Sequence, residues 1–189
     1  MSTLELKELS HPSGEVIKIA AGKTLDLKSQ GTTTLPTGSV LQVKNFALTE
    51  TFVMTTAATW TDTTLVLSIT PSSTASKILI TYSVSYAGQN GQRGGTRIIR
   101  GSTPLCIADA SSNRIQTTSS FQGTSTRSSD ANLSATYLDS PSTASAVTYK
   151  VQAFCENTSP VYFNRGFTDE DNNTLMRATS QITLTEIQG

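Results

Sequence analysis

Three observations predict an all-β chain folded as an antiparallel two-sheet sandwich, jelly-roll-like, with an extended N-terminal arm. The first is composition: 57 of the 189 residues are Ser or Thr, and only 15% are charged, against about 25% in an ordinary domain. Thr is β-branched and suits strands, while Ser suits turns. The second is strict alternation over Lys77–Tyr86, where Ile78, Ile80, Tyr82, Val84 and Tyr86 fall on one face and Lys77, Thr81, Ser83 and Ser85 on the other, with Leu79 breaking the pattern. Period two marks a half-buried antiparallel strand. The third is punctuation: turn residues recur at roughly ten-residue intervals and no stretch keeps a helical period. Roughly eight to ten short strands follow, with a jelly roll as the first topology and an immunoglobulin-like sandwich as the second.

Ser39–Leu48 offers Leu41 and Val43 on one face, and Thr64–Thr70 offers Leu65, Leu67 and Ile69 before stopping at Pro71-Ser-Ser-Thr. The Gly-rich run Gly88–Gly95 is expected to be a long mobile loop at one end of the sandwich, where binding surfaces often sit. Thr96–Arg100, Leu105–Ala108 and Ile115–Phe121 read as further strands. Ala131–Leu138 and Ala146–Cys155 flank the turn Asp139-Ser-Pro-Ser-Thr-Ala, and Val161–Asn164 and Ser180–Ile187 close the domain.

The chain divides near Pro36 into an arm of residues 1–37 and a sandwich of 38–189. Within the arm, Val16-Ile17-Lys18-Ile19 and Leu25-Asp26-Leu27 precede the extended run Gly31–Gly38. Strands that short cannot bury a face alone, so the arm is expected to gain order from other copies around a three-fold axis. Its first residues lack a basic segment followed by an apolar run, and no apolar stretch approaches the ~18 residues that span a membrane. The expectation is a soluble protein, made in a cytoplasm, with no membrane insertion.

The chemistry-bearing residues form no constellation, and no catalytic, cofactor-binding or metal site is expected. His11 is the sole histidine and has no nucleophile arranged beside it, as Ser-His-Asp or Cys-His chemistry requires. Asp62, Asp109 and Asp139 are candidates for a paired-carboxylate site that nothing singles out. Asp169-Glu-Asp-Asn-Asn173 places oxygen ligands at alternate positions but lacks the glycine and distal Glu of a calcium loop, and reads as a solvated turn. Cys106 and Cys155 have no metal-ligand spacing; Cys155 reads as a small buried hydrophobe, and their pairing stays open. Net charge is zero, which gives no field for nucleic acid. Arg93 and Arg97 would share a strand face, with Arg100 opposite. Trp60, Tyr82, Tyr86, Tyr137, Tyr149 and Tyr162 could stack on sugars, but their alternation favours core or chain–chain packing.

Several blocks, in order and spacing, resemble the β-sandwich modules of fibre and spike proteins of tailed bacteriophages, especially those of aquatic bacteria. They are Leu35-Pro-Thr-Gly-Ser-Val-Leu-Gln-Val43, Val66–Ile80, Tyr137-Leu-Asp-Ser-Pro-Ser-Thr143 running into Val151, Tyr162-Phe-Asn-Arg165 and Ser180–Ile187. The resemblance implies a non-enzymatic structural protein of the virion: a homotrimer whose N-terminal arm anchors it to capsid or tail and whose sandwich projects outward, contacting host glycan or protein through its loops. The short arm favours a short spike, head fibre, decoration protein or adaptor over a long tail fibre. The rival expectation is a monomeric carbohydrate-binding module with a groove of exposed aromatics.

Overall fold

The computed structural model describes residues 21–23, 35–88, 91–122 and 131–189. Most of the arm, with His11, lies outside the described residues. Pro36–Gly189 form a compact unit, and among its described residues every regular element is a strand: β1 Val40–Leu48, β2 Phe52–Met54, β3 Thr61–Ile69, β4 Lys77–Gly88, β5 Arg93–Arg100, β6 Thr103–Leu105, β7 Ser119–Gln122, β8 Ala131–Asp139, β9 Val147–Cys155, β10 Val161–Phe163 and β11 Ser180–Ile187. Among the described residues no helix is long and apolar enough to cross a membrane.

The strands make two antiparallel sheets. In sheet A, β11 pairs with Lys77–Ser83 of β4, and β10 continues beside it along Tyr86–Gly88. β1 flanks β11 and β2 flanks β10, while β8 runs along the opposite side of β4. Sheet A therefore has four columns, β1/β2, β11/β10, β4 and β8. Sheet B is built the same way from β3, β9, β5 and the broken column β6/β7. Numbering the columns one to eight along the chain, sheet A reads 1-8-3-6 and sheet B 2-7-4-5. Successive columns alternate between sheets except at the fourth and fifth, the double Greek key of a jelly roll.

The core lies between the sheets, where the period-two pattern places it. Ile78, Ile80, Tyr82 and Val84 of β4 pack with Ile182 and Leu184 of β11 against Leu65 and Ile69 of β3, Ile98 of β5 and Tyr149 and Val151 of β9. Phe52 and Phe163 stack 4.0 Å apart, joining β2 to β10. Three polar ties cross this interior. Tyr82 Oη is hydrogen-bonded to Thr96 Oγ1 at 2.8 Å. Tyr149 Oη donates to Asp139 Oδ2 at 2.7 Å, and Arg100 Nη1 reaches both oxygens of Asp139 at 2.8 Å. Glu186, 1% exposed, accepts Gln42 Nε2 at 2.6 Å and the amide and hydroxyl of Ser72 at 2.6 and 2.7 Å. Each buried charge is thus met by donors, as burial demands.

Several sequence expectations need correction. Gly88–Gly95 is not a long loop: β4 runs to Gly88, β5 starts at Arg93, and Gly94 and Gly95 are strand residues, with residues 89–90 outside the described set. A Cβ on Gly94 would collide with the carbonyl oxygen of Phe154 and the ring of Phe121, and one on Gly95 with Thr117. These glycines serve close packing rather than motion. In β1 a bulge between Val40 and Gln42 sends Gln42 inward to Glu186 and leaves Val43 59% exposed, so Leu41 and Val43 do not share a buried face. The strand expected at Leu105–Ala108 is Thr103–Leu105, because Cys106 adopts a left-handed φ of 51° and breaks the extended chain. That expected at Ile115–Phe121 begins only at Ser119. β2, three residues long, carried too little pattern to be read.

Candidate functional site

The outer faces of the two sheets differ in kind. On sheet A the outward positions line up across β1, β11, β4 and β8 in three consecutive rows: Val43-Thr185-Leu79-Leu138, Asn45-Thr183-Thr81-Thr136 and Ala47-Gln181-Ser83-Ser134. None of these twelve residues is charged. The row beyond, Val40-Ile187-Lys77, puts Lys77 at the rim. Val40, Val43 and Leu138 are 55%, 59% and 46% exposed. The charged residues of these strands are elsewhere: Asp139 and Glu186 are turned into the interior, and Lys44 Nζ reaches across to Ser68 O at 3.1 Å.

Sheet B presents an aromatic and charged network instead. Asp62 accepts Lys150 Nζ at 2.5 Å and Gln152 Nε2 at 2.6 Å. Gln152 Oε1 accepts Arg97 Nε at 2.8 Å, and the Arg97 guanidinium lies 4.2 Å over the Trp60 ring. Phe154 packs on Trp60 from the side, ring centroids 5.4 Å apart. The hydrogen bonds from Lys150, then Gln152, hold the Asp62 carboxyl below its ordinary value despite partial burial. Each of these polar side chains thus meets at least one neighbour of the network.

The arginines divide as their spacing requires. Arg97 belongs to the outer network and Arg93 pairs with Glu156 at 3.5 Å, while Arg100 turns inward to Asp139. Beside Arg93 a cavity of about 280 Å³ is lined by Gly94, Ile115, Thr117, Ser120, Phe154 and Glu156. Asp62 and Asp139 are not brought together: one lies on the outside of sheet B, and the other is buried in sheet A beneath Arg100 and Tyr149. Asp109 is exposed in the segment after β6.

The acidic loop borders a cavity of about 330 Å³ lined by Asp169–Asn172, Leu175, Met176 and Arg177. Asp169 is engaged by two cations, Arg177 at 2.7 Å and Arg165 at 3.4 Å, and Arg165 also lies 4.3 Å over Tyr162. Asn172 Oδ1 accepts the amide and hydroxyl of Thr174. The loop is thereby stapled by its own residues, and among the described residues no three His, Cys, Asp or Glu converge as metal ligands. Cys106 is exposed and Cys155 buried, both as free thiols; Cys155 donates to Thr56 O at 3.1 Å, and burial raises its thiol pKa.

No tryptophan or tyrosine of the chain is freely exposed. Tyr82 and Tyr149 are fully buried, Tyr86 is nearly so and packs on Phe121 at 4.0 Å, and Trp60, Tyr137 and Tyr162 are half-buried. The residue that sequence reading missed is Asn164. It is 0% exposed with a left-handed φ of 60°. Its Nδ2 donates to Leu48 O and Glu50 O, and its Oδ1 accepts Ser180 Oγ at 2.6 Å. Asn tolerates that backbone better than other non-glycine residues, but nothing local in Tyr-Phe-Asn-Arg announces partners more than a hundred residues away.

No protein-family model matches the chain, and no curated protein matches it.

Proposed function

We propose that the chain is a non-enzymatic structural protein of a bacteriophage virion. It acts as a short trimeric fibre, spike or decoration protein, anchored to head or tail through residues 1–37 and contacting the host surface through its outward loops. The observation that carries this reading is the uncharged three-row patch on the outer face of sheet A, between Lys77 at one rim and the Arg165–Asp169–Arg177 cluster beside β10 at the other, in a jelly roll whose opposite face carries a charged network. A face bathed in solvent normally carries charge of both signs, whereas charge depletion marks the centre of a protein–protein interface. The resemblance of the sequence blocks to phage fibre modules supplies the setting. The satisfied polar networks and engaged carboxylates support a structural role. The absence of a freely exposed tryptophan or tyrosine weighs against a sugar groove of stacked aromatics.

Immunogold labelling of purified particles of the phage that encodes the chain tests the reading. Label at a regular position on intact particles is expected. A particle population free of the chain by labelling and by mass spectrometry would sink it. The arm's share is read separately by comparing thermal unfolding of the full chain and residues 38–189 over a range of concentrations. A lower, less concentration-dependent melting temperature for the fragment is expected, because oligomer stability follows mass action. Identical melting would remove the arm from assembly.

A further inference from the structure

We infer that the uncharged patch on the outer face of sheet A, with the β8 edge that no described strand covers, is the seat of a second copy of this chain. The inference deepens the trimeric reading above and rests on it.

The two sheets have four edges, and three of them are blunted. β1 carries a bulge at Val40/Gln42 and an exposed lysine, Lys44. β3 carries a register shift between Asp62 and Val66, with Asp62 on its outer side. The β6/β7 column consists of pieces of three and four residues. Bulges, charges and short length are the usual means of keeping an edge from pairing. β8 has no bulge, is not short, and carries no outward-pointing charge. Its nine residues pair with β4 in unbroken register and include no Lys, Arg or Pro. Its one acid, Asp139, is turned inward to Arg100. Among the described residues no strand lies along its other side. Among the described residues the unguarded edge of β8 therefore borders the uncharged patch of sheet A, and these are independent observations on the same side of the sandwich.

A second copy is the occupant that fits both. Four strands about 4.8 Å apart and eight or nine residues long at about 3.4 Å per residue cover about 550 Å² in plan, of which the three uncharged rows make up about 400 Å². With the β8 edge added, the whole face approaches the ~800 Å² per partner of a stable interface. Two β8 edges paired across a two-fold axis would leave most of the face in water. An edge laid onto the face of the next copy, closing after three, covers each β8 edge and the sheet A patch of each copy. Val43, Leu79 and Leu138 supply the apolar contact, and the rows through Thr81 and Thr136 supply hydroxyls without a charge to desolvate.

The test is light scattering on the full chain beside Thr136→Lys, with Thr148→Lys as the control. Thr136 and Thr148 are both exposed strand residues, on the outer faces of sheets A and B respectively. The wild type and T148K are expected at three chains per particle, and T136K at one, a three-fold fall in mass. Circular dichroism establishes that each variant is folded. Should T136K fail to fold, hydrogen exchange on the wild type at high and low concentration reads the same question: uptake over 131–139 is expected to rise on dilution, while uptake over β3 does not. A wild type that stays trimeric with T136K also trimeric, or with β8 uptake insensitive to dilution, overturns the assigned face and leaves the trimer standing. A wild type of one chain overturns both.

Discussion

At the scale of single residues, Asn164 ties four elements through one side chain and its own backbone. Beside the side-chain bonds to the β1–β2 turn and to Ser180, its amide donates to Ser85 O and its carbonyl accepts the Ala178 amide. Ser180 Oγ accepts the Ser85 amide in turn. Asn164→Ala would take the side-chain donor from the Leu48 and Glu50 carbonyls and the acceptor from the Ser180 hydroxyl, and keep a strained φ, for a predicted loss of about 3 kcal/mol. Asn164→Gly loses the same bonds but tolerates the backbone, so it is predicted to be the milder change. Urea denaturation of both variants checks this; equal stability to wild type, or Ala milder than Gly, contradicts the assignment. Glu186 is the second such residue. Burial acts to raise its carboxyl, but the side-chain hydrogen bonds of Gln42 and Ser72 and the Ser72 amide outweigh that and hold it below the ordinary value. A carboxyl depressed in the fold stabilises above its unfolded pKa, and that contribution fades as pH falls through the folded value. Glu186→Gln is therefore predicted to lower stability near neutrality and to flatten its decline below about pH 4.5. A decline unchanged in slope would show that other groups govern the acid limb.

At the scale of elements, the Arg100–Asp139–Tyr149 tie bolts the end of β8 to β5 and β9, and so sheet A to sheet B. Asp139 is 5% exposed and Tyr149 fully buried. Removing one partner of a buried pair leaves an uncompensated charge, so Arg100→Leu is predicted to cost about 3 kcal/mol, and Tyr149→Phe, which removes one hydrogen bond to a charged group, about 1.5 kcal/mol. A double-mutant cycle should find the two effects non-additive because they share one carboxylate. Additive losses would mean that Asp139 is held independently by each. The same bolt ends the strand that carries the unguarded edge, so it fixes how β8 is presented to a partner. Gly94 and Gly95 act at this scale too, since they let β5 approach Phe121, Phe154 and Thr117 more closely than any side chain would allow.

At the scale of the whole molecule, the polarity of the sandwich sets its stability with pH as well as its contacts. Burial pushes the Tyr82 phenol up to about 12, and burial with the Asp139 carboxylate beside it pushes Tyr149 further up. A phenol raised in the fold stabilises below its unfolded pKa, and the contribution is lost as pH rises beyond it. Stability is predicted to hold through neutrality and to fall above about pH 10, the value at which these phenols ionise once unfolded. A phenolate absorbance titration should show these two tyrosines ionising only as the chain unfolds. Their ionisation with native circular dichroism intact would contradict the burial argument.

Period two made β3, β4, β8, β9 and β11 legible in the sequence, because a strand half in the core must alternate whatever its neighbours are. The Ser/Thr-rich, charge-poor composition carried the all-β class for the same reason. The amino-acid pattern did not carry the pairing order. It left Gly94 and Gly95 looking like a loop, concealed the bulge that turns Val43 outward, and gave no sign of Asn164. Those features depend on atoms that come close only after distant segments have met. The uncharged face is the clearest case: each strand contributes three of its residues, unremarkable in any one segment, and the register across four strands makes them a surface.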